Sequence, residues 1–289
     1  MTTPGELIDS WLAQRLDSQQ QEWLQGLLGQ ARAGTLAAVA LGFSQLPRRL
    51  GNGALGLSAG ERMQAGTARR GWQPDCSTVS EIGRARLVVA LGGLEFTKYR
   101  AALLGLFEDA DWAEQVALYK ALAIAPHPSS LAAQAAEGIR SNIKSVFEAV
   151  ALDNPYAADY LSEPQFNQLV LKCLFVESPL HRVHALDVRL NPTLATMLCD
   201  YARERWAAGR KVSPELWRAV GPVASTEQIE LMRRPLLEGE APERVAAAWS
   251  LLDNKLAEPL IQEHAAWIRR IVDAGLSWTQ VLAWDGPLE

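Results

Sequence analysis

The chain has 289 residues, enough for one large domain or two modest ones with a buried core. Its composition, 48 % hydrophobic and 21 % charged, is that of a globular protein and excludes disorder and coiled coil. The formal net charge of −5 argues against nucleic acid as the main partner, because phosphate binding needs a net basic surface.

From the N-terminus, Met1 through Leu12 lacks the basic start and apolar core of a signal peptide. No apolar run approaches the ~20 residues that cross a bilayer, so the expectation is a cytoplasmic protein with no transmembrane segment. Thr3 with Glu6 and Ser18 with Gln21 have the spacing of capping boxes and predict two helices, with Pro4 suited to the first turn. Residues 42 to 73 break the pattern. Eight glycines lie from Gly34 to Gly71, and Arg48, Arg49, Arg62, Arg69 and Arg70 face Glu61 as the acid of the segment. Glycine lowers helix propensity, so a mobile basic connection is expected, either a solvated loop or an anion-binding flap. Gly51-Asn52-Gly53 is not followed by the Gly-Lys-Ser/Thr of a phosphate loop. The expected partition is therefore 1–75, N-terminal helices with this connection, and 76–289, a helical-repeat domain.

Val88-Val89-Ala90-Leu91 has strand composition, but Ser80-Glu81 and Ala/Leu-rich flanks favour a helix. Further capping boxes are predicted at Asp111/Glu114, Ser162/Gln165, Ser225/Gln228 and Ser277/Gln280, and further starts at Asn191-Pro192 and Ser213-Pro214. Behind these starts the apolar period is helical. Phe166, Leu169, Val170, Cys173 and Leu174 share one face, as do Leu194, Met197, Leu198 and Tyr201. Segments 115–122, 167–174 and 244–251 look like degenerate copies of one unit. The fold class is all-α, and an irregular HEAT-like α-solenoid stack fits best, with a compact helical bundle as the alternative. Ten tryptophans would anchor the helix packing.

Catalytic patterns are scarce. Cys76, Cys173 and Cys199 are far apart, with neither disulfide nor zinc spacing. Cys173 falls on an apolar helix face, and Cys199 has one basic neighbour, Arg203, a turn away. His181, His184 and Asp187 form a weak cluster at i, i+3 spacing, short of a metal site. No Gly-x-Ser-x-Gly elbow occurs. Asp200, Arg203 and Glu204 read as a solvated stripe, and Lys172 lies on an ordinary polar stripe with Gln165 and Gln168. Arg205 follows Tyr201 by four residues and falls beside the apolar face. Structural ion pairing is expected for it, with Glu148 or Asp187 as partner. No metal and no cofactor are implied.

Several stretches then occur in one order. They are Gly71-Trp72-Gln73-Pro74, Ala136 through Asn142, Val146 through Ala149, Asn154-Pro155-Tyr156, Asn167 through Phe175, Leu186 through Asn191, Asp200 through Arg210, and Leu216-Trp217. Over 71–222, most densely 137–222, the chain resembles the EboA family of metabolite-traffic proteins. It departs from the family at Ala185, where glycine is expected, and at Ala157, where proline is common. The resemblance implies a setting in secondary metabolism: a gene cluster with a membrane prenyltransferase, a metal hydrolase, a sugar-phosphate cyclase, an isomerase-like protein and a phosphatase-like protein. It implies no reaction. Expected partners are proteins of that cluster, the prenyltransferase among them, or a small-molecule ligand; association with a membrane surface follows from the first.

Three functions fit this setting. The first is a non-catalytic protein that binds a pathway partner or an anionic or prenylated intermediate. Its groove would be lined by Arg140, Asn142, Asn154, Tyr156, Asn167, Lys172, Asp187, Arg189 and Asn191, since Arg and Lys hold phosphate or carboxylate and Asn both donates and accepts. The second is an enzyme acting on a phosphorylated or prenylated cyclitol-like intermediate, with Glu137, Glu148 or Asp187 as acid or base and Lys172 or Arg189 stabilising charge. The third is a structural scaffold.

Overall fold

The computed structural model describes residues 2–284. Among them are eighteen α-helices, short 3-10 turns and no strand, with one isolated antiparallel bridge between Ala54 and Thr78. The protein is all-helical. The chain forms two compact units that part between Leu161 and Ser162.

The first unit holds α1 (Pro4–Arg15), α2 (Ser18–Ala33), α3 (Leu36–Leu50), α4 (Ala59–Ala68), α5 (Val79–Leu91), α6 (Phe96–Asp109), α7 (Trp112–Ala121), α8 (Ala132–Arg140), α9 (Lys144–Ala151) and α10 (Tyr156–Tyr160). Its axis is α5, which packs on α1, α2, α3 and α7 and buries nearly every side chain. That burial explains why Val88 to Leu91 look strand-like: a helix covered on all sides is apolar all round. Two arginines go under with it. Arg84 donates to Glu114 at 3.3 Å and to the Phe43 carbonyl at 3.2 Å, while Arg86 clasps Asp9 through two bonds of 2.7 and 3.0 Å. Burying a charge is tolerable only with such partners.

The glycine-rich stretch 42–73 contains the second half of α3 and all of α4, separated by an extended connection. It is tied down by side chains from elsewhere. Arg15 donates to the carbonyls of Leu55 at 2.6 Å and Gly56 at 3.2 Å, and Arg69 pairs with Asp159. Arg62 lies 3.4 Å from Asp75.

The second unit holds α11 (Glu163–Phe175), α12 (Pro192–Ala207), α13 (Glu215–Val220), α14 (Thr226–Glu238), α15 (Ala241–Leu251), α16 (Glu258–Glu263), α17 (Ala265–Asp273) and α18 (Trp278–Leu282). Here α15 is the axis, packing on α13, α14, α17 and α18. Its buried run Val245-Ala246-Ala247-Ala248 is small, which lets neighbouring helices approach closely. The three repeat-like segments fall in α7, α11 and α15.

Candidate binding site

The end of α12 sets up one concavity of the second unit. Gly209 adopts φ +65°, the left-handed conformation that glycine accepts without a Cβ clash. Its N–H then donates to the Trp206 carbonyl at 2.9 Å, and Arg210 N–H to the Arg205 carbonyl at 2.8 Å. These two bonds make a Schellman closure that turns the chain sharply away from the helix axis. The Arg205 side chain braces the loop beyond, its Nε and Nη2 donating to the Lys211 carbonyl at 2.9 and 2.8 Å. Lys211 Nζ in turn pairs with Glu240 at the start of α15. Loop 208–214 is thus anchored from both sides.

Between this loop and the α14–α15 turn lies a cleft of about 480 Å³. Trp206 lines it, stacked on the buried Trp217 at 5.8 Å between centroids, with the Arg234 guanidinium 4.4 Å from the Trp206 ring centroid. Arg210, Lys211 and Arg234 supply positive charge, and Glu238, Glu240 and Glu243 oppose it. Glu243 is half-buried, and burial raises its carboxyl above the ordinary range; the indole N–H of Trp217 acts in the other direction. That N–H is itself buried without a hydrogen bond of good geometry.

On the other side of the loop is a second cavity of about 460 Å³, with Lys211, Val212, Pro214 and Leu282 common to both. Glu215 is buried at its edge and accepts three bonds, from the backbone N–H of Leu180 (2.9 Å) and of His181 (2.6 Å) and from His181 Nδ1 (2.9 Å). Tyr201 and Arg205 of α12 also line it, the guanidinium 6.0 Å from the Tyr201 ring centroid.

The nine residues expected around one groove do not converge on either cavity. Arg140 pairs with Glu137 at the exposed end of α8, and Asn142 is exposed just beyond. Asn154 is buried, donating to the carbonyls of Tyr119 (3.0 Å) and Ala149 (2.9 Å), and the Tyr156 hydroxyl donates to the Pro128 carbonyl. Burial also raises the Tyr156 phenol far above its ordinary range. In the second unit, Asn167 and Asn191 exchange reciprocal amide bonds of 3.1 and 2.9 Å. Arg189 joins that knot, its guanidinium 4.6 Å from the Phe166 ring centroid and its carbonyl accepting from Asn191 at 3.1 Å. Asp187 clasps Arg218 at 2.8 and 2.7 Å. Lys172 is half-buried, and desolvation lowers its ammonium pKa. Arg205 bonds the Lys211 carbonyl, and Glu148 lies 3.8 Å from Lys144.

The cavity residues Trp206, Arg234, Glu243 and Glu215 escape a sequence reading because each looks ordinary on its own helix. Among the described residues no three of His, Cys, Asp and Glu are grouped to hold a metal ion. Cys173 and Cys199 are buried, and burial pushes the Cys199 thiol up to about 11. No helix among the described residues is long and apolar enough to cross a membrane.

The family model described as "Metabolite traffic protein EboA" matches residues 5–221. The chain belongs to the EboA family. The match reaches back through the N-terminal helices, well before the stretch from residue 71 that carries the legible resemblance, and it ends as α13 ends. The EboA region therefore includes α12, loop 208–214 and Glu215, whereas Arg234 and Glu243 lie beyond it. No curated protein and no solved structure matches the chain.

Proposed function

We propose that this EboA-family chain is a non-catalytic binding protein that supports synthesis or transport of a secondary metabolite, holding an anionic intermediate in the cleft over Trp206. The observation that carries this reading is the combination, in one cleft, of three cationic side chains with an apolar rim of Val212, Pro214, Pro235 and Leu282. The Arg234 guanidinium sits over the Trp206 indole with its Nε 3.8 Å from Glu238, and its remaining N–H groups suit a carboxylate or phosphate, while the apolar rim suits a hydrocarbon part. The setting is the cytoplasm, beside cluster partners that include a membrane prenyltransferase. Arg140, Asn142 and Asp187 are exposed members of the expected groove, open to a protein partner. A HEAT-like stack belongs to the same reading, supported by the way helices pack on near neighbours in sequence: α5 on α7, α7 on α9, α13 on α15 and α14 on α15.

One observation favours a second, enzymatic reading. Glu243 is a carboxyl raised by burial at the edge of a cleft, the condition a general acid requires.

Native mass spectrometry of the protein, purified from a host carrying the whole gene cluster and from one without it, tests the proposal. A small molecule retained only in the first preparation, and lost in Arg234→Ala, is the expected result. If the retained mass instead changes with time in the wild type and stays fixed in Glu243→Gln, the enzymatic reading replaces it. Neither ligand nor co-purifying protein leaves the scaffold reading and overturns binding.

A further inference from the structure

The second cavity contains a histidine whose ring is fixed by its neighbours. Glu215 is held by two backbone N–H groups, so its carboxylate cannot swing away, and it takes the His181 Nδ1–H as its third bond. In the neutral ring this assignment places the proton on Nδ1 and leaves Nε2 as an acceptor. Nε2 has no partner among the described residues, and His181 lines the cavity. Capping the turn at 180–181 accounts for the two backbone bonds of Glu215. It does not require an imidazole there, nor its orientation by the carboxylate.

Two cationic side chains line the cavity with this acceptor. Arg205 has spent Nε and Nη2 on the Lys211 carbonyl, and Nη1 carries no bond. Lys211 reaches the cavity from the loop, sharing its charge with Glu240. Glu177 also lines the cavity, in a left-handed conformation, φ +56°. A ligand satisfying both halves must be an anion that also carries a hydroxyl proton to donate. A bare anion would satisfy the cations and leave its own lone pairs against those of Nε2.

We propose that this cavity is a binding site for a hydroxyl-bearing anion, a protonated phosphate or a hydroxylated carboxylate, with His181 Nε2 accepting the hydroxyl proton and Arg205 Nη1 and Lys211 Nζ holding the negative oxygens. The site borders the cleft over Trp206 and shares Lys211, Val212, Pro214 and Leu282 with it, whereas His181 and Arg205 line this cavity and not that cleft.

Inorganic phosphate and sulfate separate the two halves of the proposal. At about pH 8 both are dianions of similar size, but only monohydrogen phosphate has a proton to donate. Titration calorimetry on the full chain is expected to show phosphate binding roughly tenfold or more tighter than sulfate, the discrimination expected from one matched against one mismatched hydrogen bond. His181→Ala removes the preference while Glu215 keeps its two backbone bonds and the fold. His181→Gln, whose amide oxygen reaches the Nε2 position, restores part of it. Lys211→Ala, at an exposed position, weakens both anions alike and preserves the preference. Equal affinity for the two anions in the wild type, a preference that survives His181→Ala, or no binding of either anion overturns the site.

Discussion

At the scale of single residues, a departure from the family pattern becomes a physical statement once the backbone is seen. Ala185, standing where the EboA resemblance expects glycine, has φ +52°. A Cβ in this left-handed region crowds the following carbonyl and costs roughly 1–2 kcal/mol. Ala185→Gly relieves that strain at the expense of a more flexible unfolded chain, so the expected net gain is about 0.5–1 kcal/mol, seen as a rise in the urea midpoint with unchanged slope. An unchanged or lower midpoint would show that the strain is absorbed elsewhere in the 183–189 turn. The sequence made the position conspicuous, but only φ gives the sign. The same contrast holds at the expected groove. Asn154 and Tyr156 are expected to line the groove, yet a buried polar side chain that satisfies backbone carbonyls produces the same signature as one that awaits a ligand.

At the scale of elements, helix starts were the most legible feature, because a capping box is a local device whose partners sit three residues apart. Boxes expected at Thr3, Asp111, Ser162, Ser225 and Ser277 are present. The second helix is instead capped by Asp17 with Gln20, which frees Gln21 to donate to the carbonyls of Ala13 (3.0 Å) and Leu16 (2.8 Å). Two acceptable boxes lie in adjacent registers, and tertiary bonds to α1 choose between them. Boxes at Ser58/Glu61 and Thr78/Glu81 lie in or just past the glycine-rich region, where composition hides them. Glu61 does more than cap α4. It receives two bonds of 3.0 Å from Arg15 of α1, and chiefly through them its carboxyl pKa falls to about 2. A carboxyl with a depressed folded pKa contributes stability above the unfolded value near 4.5, and that contribution is lost as pH falls toward about 2. Glu61→Gln is therefore expected to destabilise the protein by about 1–3 kcal/mol at neutral pH, the deficit shrinking as pH drops through that window. Urea midpoints of both proteins across the acid range measure it. A pH-independent deficit would mean that the packing of Glu61, and not its charge, holds α1 to α4.

At the scale of the whole molecule, the division into two units was not legible in composition. The conspicuous break, 42–73, is crossed by the Arg15 and Arg69 contacts and lies inside the first compact unit, whereas the second compact unit begins at Ser162, an ordinary capping box. Glycine content reports local backbone freedom, and a unit boundary is set by which faces are covered, a property only long-range packing reveals. Chains with two compact units often unfold in more than one step. Two glycines, one per unit, test this because each is buried at a close approach. A Cβ on Gly138 of α8 would lie 2.6 Å from Val150 Cγ2 and 2.7 Å from the Tyr119 ring; one on Gly221 would lie 2.4 Å from Ser250 Oγ and 2.6 Å from its carbonyl carbon. Overpacking of this kind costs typically about 1–3 kcal/mol. In urea unfolding followed by tryptophan fluorescence, Gly138→Ala is expected to move one transition and Gly221→Ala the other, each leaving its counterpart in place. If either substitution displaces the whole curve, the two units unfold as one cooperative body despite their separate cores, and ligand binding in the second would then stabilise the first as well.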